Sequence, residues 1–115
     1  MQNHKNLIVW QKADTLAFEI YKATMHFPKN EMFGITSQIR RSALSVPVNI
    51  VEGYGRKSKA ELSRFIDIAM GSLAETEYLL EFSERLDYLS SEKAAELYIL
   101  IAEVGKLLWG FKKSL

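Results

Sequence analysis

The chain has no cysteine among its 115 residues, which excludes a disulfide framework, a thiolate metal site and a cysteine nucleophile, and suits a reducing cytosol. Histidine is nearly as scarce: His4 and His26 stand at a helix entrance and a helix end, outside any metal or general-base motif. Ser45 lies one turn from Arg41 and Asn49, with Glu52 a turn further. A nucleophilic serine nevertheless needs a base within hydrogen-bond reach, and none is at hand. No Glu-x-x-His pair accompanies Glu75, Glu77, Glu81 and Glu84, so these acids read as a solvated face rather than a carboxylate-bridged metal site. Gly53-Tyr-Gly55 closes a helix, whereas a phosphate cradle opens one. The expectations are a protein that is not an enzyme and has no metal or cofactor. No apolar run approaches the ~18 residues of a membrane span. The start, MQNHKN, lacks the basic region and apolar block of a signal peptide, so the expected location is the cytoplasm, away from membranes.

What is present is apolar and helical in period. With 48% hydrophobic residues, the chain reads as one domain over 1–115. The first helix is expected from about Asn6 to Phe27, stopped by Pro28, with Val9, Ala13, Leu16, Ala17, Ile20, Thr24 and Phe27 on one face. Pro28 to Thr36 is a connector with Asn30 and Thr36 as candidate caps. The second helix follows to Tyr54 and carries Pro47, which should bend it near Ala43 to Val46. Gly53 and Gly55 then allow a left-handed residue at its end. Ser58 and Glu61 form a capping box that opens a third helix, Lys59 to about Tyr88, with Leu62, Phe65, Ile66, Ala69, Leu73, Thr76, Leu80 and Ser83 on one face. Ser90 caps a fourth, Glu92 to about Lys113, with Ala94, Leu97, Ile101, Val104, Leu108 and Phe111 inward. Four amphipathic helices on short loops predict an all-α, antiparallel up-down-up-down four-helix bundle.

Helix two carries the most information. At 100° per residue, Gln38, Arg41, Ser45, Asn49, Glu52 and Arg56 share an arc of about 80°. The expected role of this stripe is a structural polar network, with Arg41 paired to Glu52 or Glu75 so that no charge is buried alone. Ile35, Ile39, Ala43, Val46, Ile50 and Gly53 lie opposite, and Leu44, Pro47, Val48 and Val51 form a third, apolar face. Further apolar lines remain once one core is filled. Leu7, Phe18 and Met25 lie off the core face of helix one, to be covered either by a folded-over loop or by another subunit. Tyr98, Ala102, Gly105 and Trp109 form a side stripe on helix four whose small residues admit a close neighbour. This surplus predicts a homo-oligomer with Leu7, Phe18, Met25, Leu44, Val48, Val51, Tyr98 and Trp109 at its interfaces.

Fifteen Lys/Arg against fourteen Asp/Glu leave a net charge of +1, but residues 1–58 carry +4 and residues 59–115 carry −3. Arg56, Lys57, Lys59 and Arg64 flank the turn between helices two and three, with Arg40 on helix two and Lys112 and Lys113 as a weaker group. These are the candidate phosphate contacts for RNA or DNA. The competing reading is that Arg56 and Lys57 only complement a helix C-terminus, worth ~0.3 to 1 kcal/mol each. Repetition of the turn around an oligomer would concentrate the charge on one rim.

The wording of the chain, L-x-V-W-Q-K-A from Leu7, F-P-K-N-E-x-F-G-I from Phe27, S-Q-I-R-R-S-A-x-S-V-P-x-N-I-x-E-G from Ser37, R-F-x-x-I-A-x-G-S-L-A-E-T-E from Arg64 and L-D-Y-L from Leu86, resembles the bacterial four-helix-bundle family encoded in intervening sequences of 23S ribosomal RNA genes. The resemblance runs over nearly the whole chain. It extends to the accessory variability protein of diversity-generating retroelements. It implies an up-down bundle assembled as a ring-like homopentamer and, for the retroelement branch, binding of nucleic acid and of a reverse transcriptase. Two functions stand: a non-catalytic RNA- or DNA-binding accessory factor, or an oligomeric protein-protein scaffold with no nucleic-acid role.

Overall fold

The computed structural model describes residues 3–115. Among them the regular structure is helical: α1 (Ile8–Ala23), α2 (Ile35–Tyr54), α3 (Lys59–Arg85) and α4 (Ser91–Lys113), with short 3-10 turns over His4–Asn6, Thr24–His26 and Lys29–Glu31. The helices pack in the ring order α1, α2, α3, α4, each against two neighbours, in a bundle of 43 × 24 × 20 Å. Lys12 meets Glu103 where Glu19 meets Lys93, and Ser42 meets Thr76 where Ser45 meets Ser72. Likewise Tyr98 meets Glu84 where Lys112 meets Asp67.

The inward faces are those that the periodicity indicates. Val9, Ala13, Leu16, Ala17 and Ile20 of α1 are buried with Ile39, Ala43, Val46 and Ile50 of α2. Ile66, Ala69, Leu73 and Leu80 of α3 close the core with Leu97, Ile101, Val104 and Leu108 of α4. Burial of a Leu or Ile side chain contributes roughly 1.5 to 3 kcal/mol, so these four stripes supply most of the drive to fold. Pro47 is buried within α2, and the helix continues through it to Tyr54.

Helix ends follow local chemistry, and three of them differ in extent or cap from the sequence expectation. First, α1 stops at Ala23, short of Phe27. The Thr24 hydroxyl donates to the carbonyls of Ile20 and Tyr21 at 2.9 and 3.0 Å, and the chain tightens into a 3-10 turn before Pro28. Second, neither Asn30 nor Thr36 caps α2. Gly34 precedes the helix, the Glu31 carboxylate accepts from the Ile35 N–H at 3.4 Å, and Thr36 is turned inward as a helical residue. Third, α3 ends at Arg85 rather than Tyr88. Asp87 takes the left-handed conformation (φ 62°), while the Tyr88 and Asp87 N–H groups donate to the carbonyls of Ser83 and Glu84. This is the paired closure that an αL residue allows.

The left-handed residue expected at Gly53 or Gly55 is not found there, since both have negative φ. Gly53 is needed for closeness instead. A Cβ on it would stand 2.8 Å from Phe65 Cβ and 2.9 Å from Leu62 Cδ1, so α2 and α3 converge on the missing side chain. Ser58 then caps α3, accepting from the Glu61 N–H at 3.1 Å, and Ser90 caps α4 through the Lys93 N–H at 3.1 Å.

Candidate nucleic-acid interface

The α2–α3 turn places Arg56, Lys57, Lys59 and Arg64 at one end of the bundle, all exposed. Arg56 is partly engaged: its guanidinium lies 3.5 Å from the Glu52 carboxylate and 5.0 Å from the centre of the Phe65 ring. Lys57, Lys59 and Arg64 have no carboxylate within ion-pair distance among the described residues. The C-terminus of α4 reaches the same end, fixed by the Lys112–Asp67 ion pair, so Lys112 and Lys113 join the group across the bundle. The turn over His4–Asn6, which packs against α1 and α2, adds Lys5. Seven cations, Lys5, Arg56, Lys57, Lys59, Arg64, Lys112 and Lys113, thus stand against three acids, Glu52, Glu61 and Asp67. At the opposite end acids prevail by a small margin, with Glu19, Glu31, Glu77, Glu81, Glu84, Asp87 and Glu92 against Lys22, Lys29, Arg40, Arg85 and Lys93.

Arg40 does not belong to this group. Its Nε donates to the Thr24 hydroxyl at 2.7 Å, its Nη2 to the Tyr21 carbonyl at 3.2 Å, and its guanidinium lies 4.8 Å from the Tyr21 ring centre. It holds the C-terminal end of α1 near the far end of the molecule, where a cation complements the helix dipole.

The polar stripe on α2 is divided by depth. Ser45 and Asn49 are half-buried, with Ser45 sharing a 2.9 Å hydrogen bond with Ser72 of α3 and Asn49 donating to the Ser45 carbonyl and hydroxyl at 2.8 and 2.9 Å. Ser42, adjacent to the stripe, is buried against Thr76. Gln38, Arg41, Glu52 and Arg56 are exposed. Arg41 forms no ion pair with Glu52 or Glu75: Glu52 is taken by Arg56, whereas Arg41 and Glu75 face one open cleft between α2 and α3. That cleft, about 540 Å³, is walled by Ser37, Gln38, Ser45 and Ser72, with Phe33 at its rim. Phe33 is 97% exposed. Sequence reading passed over it as a connector residue, and also over Tyr78 and Phe82, whose rings are 6.2 Å apart on the exposed side of α3. The signal available was the i, i+4 aromatic pair lying off the α3 core line.

The candidate oligomer contacts fall on two faces. On the α1/α2 side, Phe18 (64% exposed) and Met25 (71%) accompany Leu44, Val48 and Val51, all exposed; no loop covers Phe18 or Met25. Leu7 does not share this face with Phe18 and Met25: the residue preceding α1, it is half-buried against the core beside Lys106, Leu107 and Phe111 of α4. On the α3/α4 side, α3 of the same chain already fills part of the α4 stripe. Leu73 Cδ2 stands 3.3 Å from where a Gly105 Cβ would be, and the Tyr98 hydroxyl donates to Glu84 at 3.0 Å. Trp109 remains more than half exposed.

Burial, then the hydrogen bond to Glu84, with Glu81 and Glu77 adding negative charge, push the Tyr98 hydroxyl up to about 12. The bond to Glu31 raises Tyr88, and the bond from Lys22 lowers Glu19. Among the described residues no group of three or more His, Asp or Glu side chains is placed to hold a metal ion, and no helix is long and apolar enough to cross a membrane.

Residues 5–110 match the family model described as 23S rRNA-intervening sequence protein. A solved structure, described as a protein with unknown function from the S23 ribosomal protein family of Bacteroides thetaiotaomicron VPI-5482, shares 30% identity with this chain. It superposes with a TM-score of 0.83 over 92% of this chain and 99% of its own. Comparison with curated proteins returns no match. By the extent of these two matches, the chain belongs to the 23S rRNA-intervening sequence protein family.

Proposed function

We propose that this chain is a non-catalytic, homo-oligomeric accessory factor of the cytoplasm that binds nucleic acid, RNA first, through phosphate contacts at its basic end. The observation that carries the proposal is the convergence of two sequence-distant groups, the α2–α3 turn and the α4 C-terminus, on one end, with Lys57, Lys59 and Arg64 unpaired among the described residues. Each phosphate neutralised releases a counterion, so affinity grows steeply with the number of cations presented together. Such binding reads backbone charge and not sequence.

In this reading the fold is the antiparallel up-down-up-down bundle that the helix pairings favour, and copies associate through the α1/α2 and α3/α4 faces. Two different faces meeting head to tail close into a ring when the rotation allows, which agrees with a pentamer. A ring multiplies the basic end by the number of copies. Kinship with the retroelement accessory protein, and with it a reverse transcriptase as protein partner, forms part of the same proposal.

The alternative is an oligomeric protein-protein scaffold, favoured by the overall charge of +1 and by the exposed Phe18, Met25 and Trp109. A gel shift with structured RNA separates the two. Binding at low salt that is lost in Lys57→Glu/Lys59→Glu supports the nucleic-acid reading. No binding by the wild type at low salt removes it in favour of the scaffold.

A further inference from the structure

We infer that the α2/α3 cleft is a pocket for one unpaired nucleotide, its base stacked on Phe33 and its phosphate held by Arg41. The inference builds on the nucleic-acid role proposed above and adds a second, chemically different contact to it. At about 540 Å³ the cleft lies within the range of small-molecule sites, roughly 300 to 1,000 Å³. Its inventory suits a nucleotide. Arg41 supplies donors in a planar fork and has no carboxylate partner within ion-pair distance among the described residues. Glu75, equally unpaired, accepts only, and so matches the amino or imino edge of a base or a ribose hydroxyl. Gln38 offers both a carbonyl and an amide. Ser45 and Ser72 spend hydrogen-bonding capacity on each other and on Asn49, which fixes the floor of the cleft.

The rim decides the ligand class. Phe33 leaves nearly its whole ring in water, where an aromatic side chain gains nothing. A base has a π-face whatever its identity, and stacking on an aromatic is sequence-tolerant. A second groove, sharing Gln38 and lined by Tyr78 and Phe82, continues from the cleft, with the Arg85 guanidinium 5.5 Å from the Phe82 ring centre. Aromatic rings alternating with guanidinium groups are what a single strand meets on a stacking platform. A duplex, whose bases are already stacked and paired, would have no base to place here.

The test uses the full chain, a short single-stranded RNA containing 2-aminopurine, and an RNA duplex of the same length. The expected result is a change in 2-aminopurine fluorescence on binding the single strand. Phe33→Ala should abolish the change and weaken single-strand binding about tenfold or more, and Arg41→Gln should weaken it similarly. Duplex binding should stay at the wild-type level in both variants. Circular dichroism should be unchanged, because both side chains are exposed. Single-strand affinity in Phe33→Ala and Arg41→Gln equal to wild type, or an unaltered 2-aminopurine signal in the wild type, overturns the pocket and leaves the basic end untouched. Loss of duplex binding in Lys57→Glu/Lys59→Glu supports the basic end separately, and absence of duplex binding at low salt overturns that end without touching the pocket.

Discussion

Ser42 of α2 and Thr76 of α3 share a 2.9 Å hydrogen bond inside the helical interface, both side chains buried. Each hydroxyl also reaches a carbonyl of its own helix, Ser42 to Ile39 at 3.1 Å and Thr76 to Ser72 at 2.9 Å. Two hydroxyl protons therefore serve three bonds, and either residue can fall back on its own helix when the other is removed. Ser42→Ala and Thr76→Val are each expected to destabilise by about 0.5 to 1.5 kcal/mol. The double variant should lose less than the sum, because the bond is lost only once. Urea denaturation of the four proteins measures this, and strict additivity would contradict a shared bond.

Gly53 and Gly71 should respond to alanine with opposite signs. At Gly53 the added methyl meets Phe65 and Leu62 at under 3 Å in a buried contact, and overpacking of this kind costs about 1 to 3 kcal/mol. At Gly71, exposed within α3, nothing lies within 4 Å of the new Cβ, and removal of a mid-helix glycine should stabilise by roughly 0.5 to 1 kcal/mol. Thermal melts of the two variants check the pair.

The inward stripes of all four helices were legible in the sequence because burial follows helical period, and period needs only spacing. Depth was less legible. The line from Gln38 to Arg56 is a real stripe, but the short Ser45 and Asn49 at its centre are half-buried in hydrogen bonds with Ser72 and each other, while the long side chains of Gln38, Arg41, Glu52 and Arg56 reach water. Spacing marks the stripe and not the depth of each of its members. Arg40 was placed in sequence off the stripe that holds Arg41 and assigned to phosphate; only the return of α1 beside it supplies Tyr21 and Thr24 as its partners. The two basic groups were visible separately, and their meeting depends on helix pairing.

The raised pKa of Tyr98 gives a signed pH dependence. The unfolded phenol ionises near ~10, whereas in the fold the group holds its proton to about 12. The stability it lends is complete below ~10 and is lost as the pH rises through about 12. Tyr98→Phe should cost about 1 kcal/mol at neutral pH by removing the bond to Glu84. The gap to wild type should narrow between those two pH values. A gap constant across that window, followed by chemical denaturation, would contradict the assignment.

Phe18 and Trp109 test assembly from its two sides. Wild type should sediment at micromolar concentration as a multiple of 13.2 kDa. Phe18→Asp and Trp109→Glu should each shift the population toward a 13.2 kDa species with unchanged helicity, since neither side chain is in the core. Wild type sedimenting only as that smallest species would remove the ring.

The most direct measurement is the affinity for an RNA duplex as a function of salt. The logarithm of the binding constant should fall linearly with the logarithm of salt concentration, with a slope of about −0.9 per phosphate contacted if the B-DNA value holds for the duplex. Lys57→Glu/Lys59→Glu should both weaken binding and flatten that slope, while Arg40→Leu, which removes a cation already committed to α1, should leave the slope as it is. An affinity indifferent to salt, or a slope reduced by Arg40→Leu and not by the two lysine changes, would contradict phosphate binding at this end.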